Sequence, residues 1–546
     1  MSENGSKYNF YEENLWIGRL GSFTKSIDSN LKLLRVILLT KGSSIMEFGL
    51  LLDKVEGLLT EKEDIDRKKV NNWRNKVREA WHTVQESIDS LDEPFQKIAV
   101  KSLPDALEIK IDLIKSEAQN ISSKVPAKRD IHDEGRFDFE EVQLYNLRTL
   151  SIKQKRFVEN RLRRSVGSAL NKDGTSGVES DRVADVRKSF QYIAGDIEIV
   201  QRAIVQRVHE VNDAGQYKPS MQASALQITD RLALMALQPF QHLLPSNSEI
   251  TPITFFSQET HIRSLPYCDD VVLIGIRYDQ VLQDLENEAT PPPFELLAIP
   301  HEIGHYVYQR GTIEAKSVDV DQIIKDVFSQ APLTVKANEE PLLDFTAVAQ
   351  KLPLANERYR KWCEEIFSDI CGCMVAGPLV ALSLLSILVA RTEKANKYEE
   401  GEHPTGNLRP YLLKEILIQL NKINNKYDFE LAAKDIVATW EDTLAKSGRQ
   451  KKSDASQVPD DLQKIIRVFA KILMADAPAE FKLWRTAKMT NLTDCATELK
   501  QIPQMIGFES VEPSKLVKED PADGTDIALL VNEWQKKGPV TIGDHD

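Results

Sequence analysis

From Ile370 to Ala390 the chain runs for 21 residues without a charged side chain, ICGCMVAGPLVALSLLSILVA. Two folds can hold such a stretch. At about 1.5 Å per helical residue it is long enough to cross a bilayer. It also fits a helix that is apolar all round and buried in the core of a large protein. Gly372, Gly377, Pro378, Ser383 and Ser386 dilute its hydrophobicity, and carboxylates stand at its entrance. The expectation is therefore a core helix and no membrane span.

The rest of the composition agrees with a globular protein. The 546 residues suggest about three domains. With 42% hydrophobic and 28% charged residues, there is ample material for a core. The net charge of −13 argues against nucleic-acid coating, because phosphate binding needs a basic surface. Five cysteines without a CxxC pair point away from a disulfide framework and toward a reducing, cytoplasmic setting. MSENGSKYNFYEENLW lacks a basic segment followed by an apolar one, so no secretory signal is expected at this end.

The expected class is mainly α (α+β). Residues 1–218 read as a helical bundle, with helices over 28–58, 67–98, 140–165 and 183–211 and a linker at 171–180. In 183–211, Val183, Phe190, Ile197, Ile204 and Val211 recur every seven residues. Val186, Ile193 and Val200 fill the intermediate positions until Arg207 breaks the pattern. That seam predicts helix-on-helix packing, within the chain or between chains. The bundle is a candidate partner-binding or regulatory domain.

Residues 219–447 read differently. ITPITFF (250–256) and VVLIGIRY (271–278) are strand-like, the second a buried or edge strand. As an edge it would align an extended peptide through main-chain hydrogen bonds. An apolar helix follows and ends at Gly311, and helical periodicity resumes over about 355–445. Residues 448–546 read as a helical C-terminal region, helical over 459–500, with a Pro-, Gly- and Asp-rich tail after about 510.

The chemistry is concentrated in LAIPHEIGHYVY, which contains the HExxH motif His301, Glu302 and His305. On a helix, His301 and His305 lie one turn apart on one face and can share one Zn²⁺. Glu302 lies beside them, placed to take a proton from the attacking water. Pro300 starts or kinks the helix, and Gly304 removes a side chain where a neighbouring strand or substrate approaches. Downstream, Glu365 and Asp369 share a helix face at i, i+4 and lead into the charge-free run. Two carboxylates entering a buried helix need partners, and a metal with its histidine would supply them. Glu364 competes with Glu365 as the third ligand. A third element is Glu402, His403, Pro404 and, five residues further on, Arg409.

HExxH followed by ExxxD resembles the gluzincin metallopeptidases. The order HExxH, ExxxD, HPxxxxR resembles the M48-type peptidases, over about 110 residues, 301–409. M48 enzymes generally carry ExxAD, whereas this chain has Ser368 before Asp369. The resemblance implies a zincin-like domain holding one Zn²⁺ on His301, His305 and Glu365. It implies that Asp369 fixes a ligating histidine, that Glu302 is the general base, and that His403 or Arg409 stabilises the oxyanion. The substrate would be a protein or peptide. Two alternatives stay open: a helical scaffold with a structural or degenerate zinc site, and a cytosol-acting effector or toxin protease.

Overall fold

A computed structural model describes residues 4–41, 139–170, 178–211, 217–244, 250–258, 260–277, 298–314, 318–328, 342–390, 404, 406–424, 428–446 and 458–475. The protein is mainly helical with a small mixed sheet. It divides into two compact units. The first takes the described residues up to Gln227 together with Leu265–Val271; the second takes Ile228–Ser264 and those from Val272 onward.

The first unit contains α1 (Asn4–Lys41), α2 (Phe139–Arg156), a π-helical stretch (Phe157–Leu162) leading into α3 (Arg163–Leu170), and α4 (Val178–Val205). A two-stranded antiparallel pair follows, β1 (His209–Val211) and β2 (Tyr217–Pro219). The heptad residues Val186, Phe190, Ile193 and Ile197 are buried with Trp16, Leu20 and Ile27 of α1 and with Phe157, Val158 and Leu162. The seam is thus satisfied within the chain. The expected 183–211 helix stops at Val205, and Val211 lies in β1. Arg207, the residue that interrupts the heptad, is buried, and its Nη1 donates back to Ala203 O at 2.8 Å. It satisfies a carbonyl at the helix end that no further turn would reach. The first helix starts at Asn4 rather than at 28. The expected helix over 67–98 lies outside the described residues.

The second unit contains most of α5 (Met221–Leu237), then β3 (Thr251–Ser257), β4 (His261–Ser264) and β5 (Val271–Arg277). The strand order is β3–β5–β4, with β4 antiparallel to β5. β5 is therefore the middle strand and not an edge. Its main-chain groups are taken on both sides, which removes the expectation that it aligns a peptide. Both its faces are apolar and six of its seven residues are buried, as a central strand requires.

Then come α6 (Ala298–Arg310), β6 (Thr312–Glu314), α7 (Val320–Phe328), β7 (Leu342–Asp344), α8 (Phe345–Lys351), α9 (Glu357–Lys361), α10 (Cys363–Ala376), α11 (Pro378–Ala390), α12 (Arg409–Ile423), α13 (Glu430–Lys446) and α14 (Asp460–Ala475). The charge-free run is two helices. Gly377 adopts φ 58°, a backbone that side chains with a Cβ rarely take, and closes α10 through its N–H to Cys373 O at 2.8 Å. Pro378 then opens α11. Among the described residues no helix is long and apolar enough to cross a membrane.

α10 is the core element of this unit, packed against α6, α11, α12 and α14. Phe367 of α10 meets Phe345 at 4.5 Å, Tyr308 at 5.3 Å and Phe469 at 5.4 Å between ring centres. These rings join α8, α6 and α14 to the helix that carries Glu365 and Asp369.

Candidate metal centre

The HExxH motif lies on α6, whose Pro300 falls in the first turn, where no intrahelical N–H is needed. Nine of its thirteen residues are buried, which fixes the helix in the core. α6 crosses α10 at close range, and small residues make that possible. A Cβ on Gly304 would stand 2.5 Å from Ser368 Cα, 3.0 Å from Ser368 O and 3.1 Å from Cys371 Cβ. One turn further along α10, Gly372 lies under the start of α6: a Cβ there would stand 3.6 Å from His301 N. What Gly304 admits is therefore a helix, and not the strand or substrate expected there. Ser368 sits where the M48 pattern has alanine. Its hydroxyl is buried without a hydrogen-bond partner, so the crossing uses its smallness and not its polarity.

This crossing brings the ExxxD face of α10 onto the HExxH face of α6. One ligand atom each from His301, His305 and Glu365 lies within 4.8 Å of the others, a group able to hold a metal ion. His301 Nε2 and His305 Nε2 are 3.2 Å apart. Glu365 Oε1 is 3.3 Å from His305 Nε2, and its Oε2 is 3.6 Å from His301 Nε2. Ligands about 2.0–2.1 Å from a tetrahedral ion are separated by about 3.3 Å, so this spacing fits one ion. Two imidazoles and a carboxylate are a nitrogen and oxygen donor set that a divalent transition metal can accept.

Each ring's other nitrogen meets a second carboxylate of α10. His301 Nδ1 lies 2.9 Å from Asp369 Oδ1, a short contact that leaves the ring N–H off the direct line. His305 Nδ1 lies 3.0 Å from Glu364 Oε1, which also accepts from Gln309 Nε2 at 2.8 Å. Burial disfavours charge on Asp369, but the Arg409 guanidinium and His301 outweigh it and hold the carboxyl below its ordinary range. Burial likewise opposes a charged His305, yet Glu365 and Glu364 outweigh it and raise the imidazole well above its usual value in the metal-free protein.

Arg409 opens α12, where a cation faces the positive end of the helix dipole. Its counter-charges lie across the site. Nε and Nη2 donate to the two oxygens of Asp369 at 3.2 and 2.8 Å, and Nη2 lies 3.3 Å from Glu365 Oε2. The same Nη2 is 3.4 Å from His301 Nε2. Glu302 is half-buried on α6, and its charge acts on both His305 and Arg409. His403 lies outside the described residues.

All the sequence-derived site residues except His403 thus meet in one place. Glu365 is 7% exposed in its side chain and Glu364 34%, so the inward carboxylate is Glu365 and the rim one is Glu364. Glu364 behind His305 was not foreseen. The available signal was that His305 and Gln309 are four apart, two polar groups on one stripe of α6. No known protein family, curated protein or solved structure matches this chain.

Proposed function

We propose that the chain is a zinc-dependent peptidase of gluzincin type, with His301, His305 and Glu365 as ligands. The observation that carries the reading is the spacing of these three donor atoms, each imidazole backed by its own carboxylate, with Glu302 near enough for its charge to act on His305. When bound, zinc would supply Lewis acidity, acidifying a water and polarising a carbonyl. Glu302 takes the proton of the attacking water on its carboxylate and passes it to the leaving amine. Asp369 keeps the His301 ring turned so that its Nε2 faces inward. Arg409 holds Asp369 and Glu365 in place, and its Nη2 stands beside the inward nitrogen of His301. There it favours the negative oxygen that develops on the attacked carbonyl. The site reaches solvent through the partly exposed His305 and Glu302, as substrate entry requires. With β5 enclosed, β4, an outer strand of the sheet that packs on α6, is the strand proposed to line up a peptide.

Elemental analysis tests the metal first. The wild type should hold one zinc per chain and Glu365→Ala should lose it. A peptide library then tests the reaction. Glu302→Gln should keep the metal and lose hydrolysis by about 10²–10⁴-fold, the usual worth of a general base. Hydrolysis that survives Glu302→Gln at the wild-type rate overturns the mechanism.

A further inference from the structure

We infer that Glu364 is a positioning residue for His305. It receives the Nδ1–H of the ring and thereby directs Nε2 to the metal-facing side. The inference rests on the reading of His301, His305 and Glu365 as ligands. The carboxylate can only accept, so the 3.0 Å contact between His305 Nδ1 and Glu364 Oε1 defines the ring nitrogen as the donor. Gln309 Nε2 donates to the same oxygen at 2.8 Å. Two donors four residues apart on α6 therefore converge on one oxygen from α10 and fix it across the helix crossing. Glu364 and Asp369 stand on either side of Glu365 in the sequence, each serving a different histidine. Asp369 is wholly buried and held by Arg409, whereas Glu364 lies at the rim with its side chain one-third exposed. One helix thus supplies a ligand and both supports. A metal-ligating histidine depends on such a partner for its tautomer and basicity, and losing the partner typically weakens metal binding about 10–100-fold.

The test is a zinc competition titration against a chelator on the full chain, comparing wild type, Glu364→Ala, Glu364→Gln and Glu365→Ala. The cobalt(II) absorption spectrum and the melting temperature of the metal-free protein are read alongside. Glu364→Ala should bind zinc about 10–100-fold more weakly and shift the cobalt bands, with a lower metal-free melting temperature from the lost contacts to His305 and Gln309. Glu364→Gln, whose amide oxygen still accepts from Nδ1–H, should recover part of the affinity and return the bands toward wild type. If Glu364→Ala binds like wild type while Glu365→Ala loses the metal, the positioning role is overturned and the metal centre stands. If Glu364→Gln binds zinc no better than Glu364→Ala and leaves the cobalt bands shifted, the residue is structural and the inference also falls. If the wild type takes up no zinc or cobalt, the ligand assignment fails, and this inference with it.

Discussion

Replacing Gly304 with alanine sets two effects of opposite sign against each other. In the middle of a helix, glycine costs about 1 kcal/mol relative to alanine, so propensity alone makes Gly304→Ala stabilising. The crossing of α6 and α10 makes it destabilising. The new Cβ would stand 2.5 Å from Ser368 Cα and 3.0 Å from Ser368 O. Carbon atoms in contact prefer about 3.5–4.0 Å, so the helices must part by about 1 Å. Those neighbours are backbone atoms of a buried helix and cannot swing aside. Overpacking of this kind costs about 1–3 kcal/mol, and rigid surroundings favour the upper end. The expected net loss is about 1–2 kcal/mol. Gly195, inside α4 with nothing within 4 Å of its would-be Cβ, supplies the control. Gly195→Ala should gain up to about 1 kcal/mol, so urea melts of the two metal-free variants should diverge by about 2–3 kcal/mol. Separating α6 from α10 also separates the histidines from Glu365. Metal sites hold their ligands to within about 0.2 Å, so zinc affinity in Gly304→Ala should fall by tenfold or more. If Gly304→Ala proves as stable as Gly195→Ala and binds zinc like wild type, the close crossing is not what assembles the site.

Two further outcomes follow from buried charges and thiols. Arg409→Met leaves the buried carboxylates of Asp369 and Glu365 short of their guanidinium partner, a loss of about 3–5 kcal/mol in metal-free stability by chemical denaturation. Its pH dependence has a definite sign. A carboxyl held low contributes stability that is full above its unfolded value, about 3.9, and is lost as pH falls through the folded value. Removing Arg409 leaves His301 alone to oppose burial, so Asp369 rises and acid destabilisation of the variant should begin at a higher pH than in wild type. Melting curves from pH 7 to pH 3 in the presence of a chelator check this, and coincident profiles refute it. Among the described cysteines, burial pushes Cys268 and Cys363 up to about 12 and raises Cys371 and Cys373 well above the usual thiol value. Of the five thiols, at most Cys495 should react quickly with a chromogenic disulfide reagent at pH 8, and the other four only after unfolding.

What was legible in the sequence follows repeat distances within single helices. His301 and His305 share a face because they are four apart, and so do Glu365 and Asp369. Those spacings survive in α6 and α10 because a helix is a local structure whose geometry does not wait for tertiary contacts. The heptad of α4 could be read for the same reason, whereas its end could not. Arg207 looked like one lapse in a continuing pattern, and only its buried bond to Ala203 O shows that it closes the helix. The Gly377–Pro378 break was also written in the chain. A residue that must take a positive φ cannot be told from one that merely lowers hydrophobicity until the backbone is seen.

Where two elements meet, the sequence determined less. Strand pairing is non-local, and an apolar run such as 271–277 suits either a central strand or a covered edge, so only the order β3–β5–β4 decided that β5 is enclosed. Glu364 and Glu365 are adjacent carboxylates on one helix, about 100° apart around its axis. Which of them points inward depends on how α10 is rotated against α6, and that rotation is set by Gly304 meeting Ser368. Arg409 lies forty residues beyond Asp369 along the chain, and no periodicity connects them; the packing of α12 on α10 brings the guanidinium to the carboxylate. The sequence by itself determined which side chains carry the chemistry and which helix face each occupies. The tertiary structure decided which faces meet, because that depends on the volume of every residue at the crossing and not on spacing along one helix.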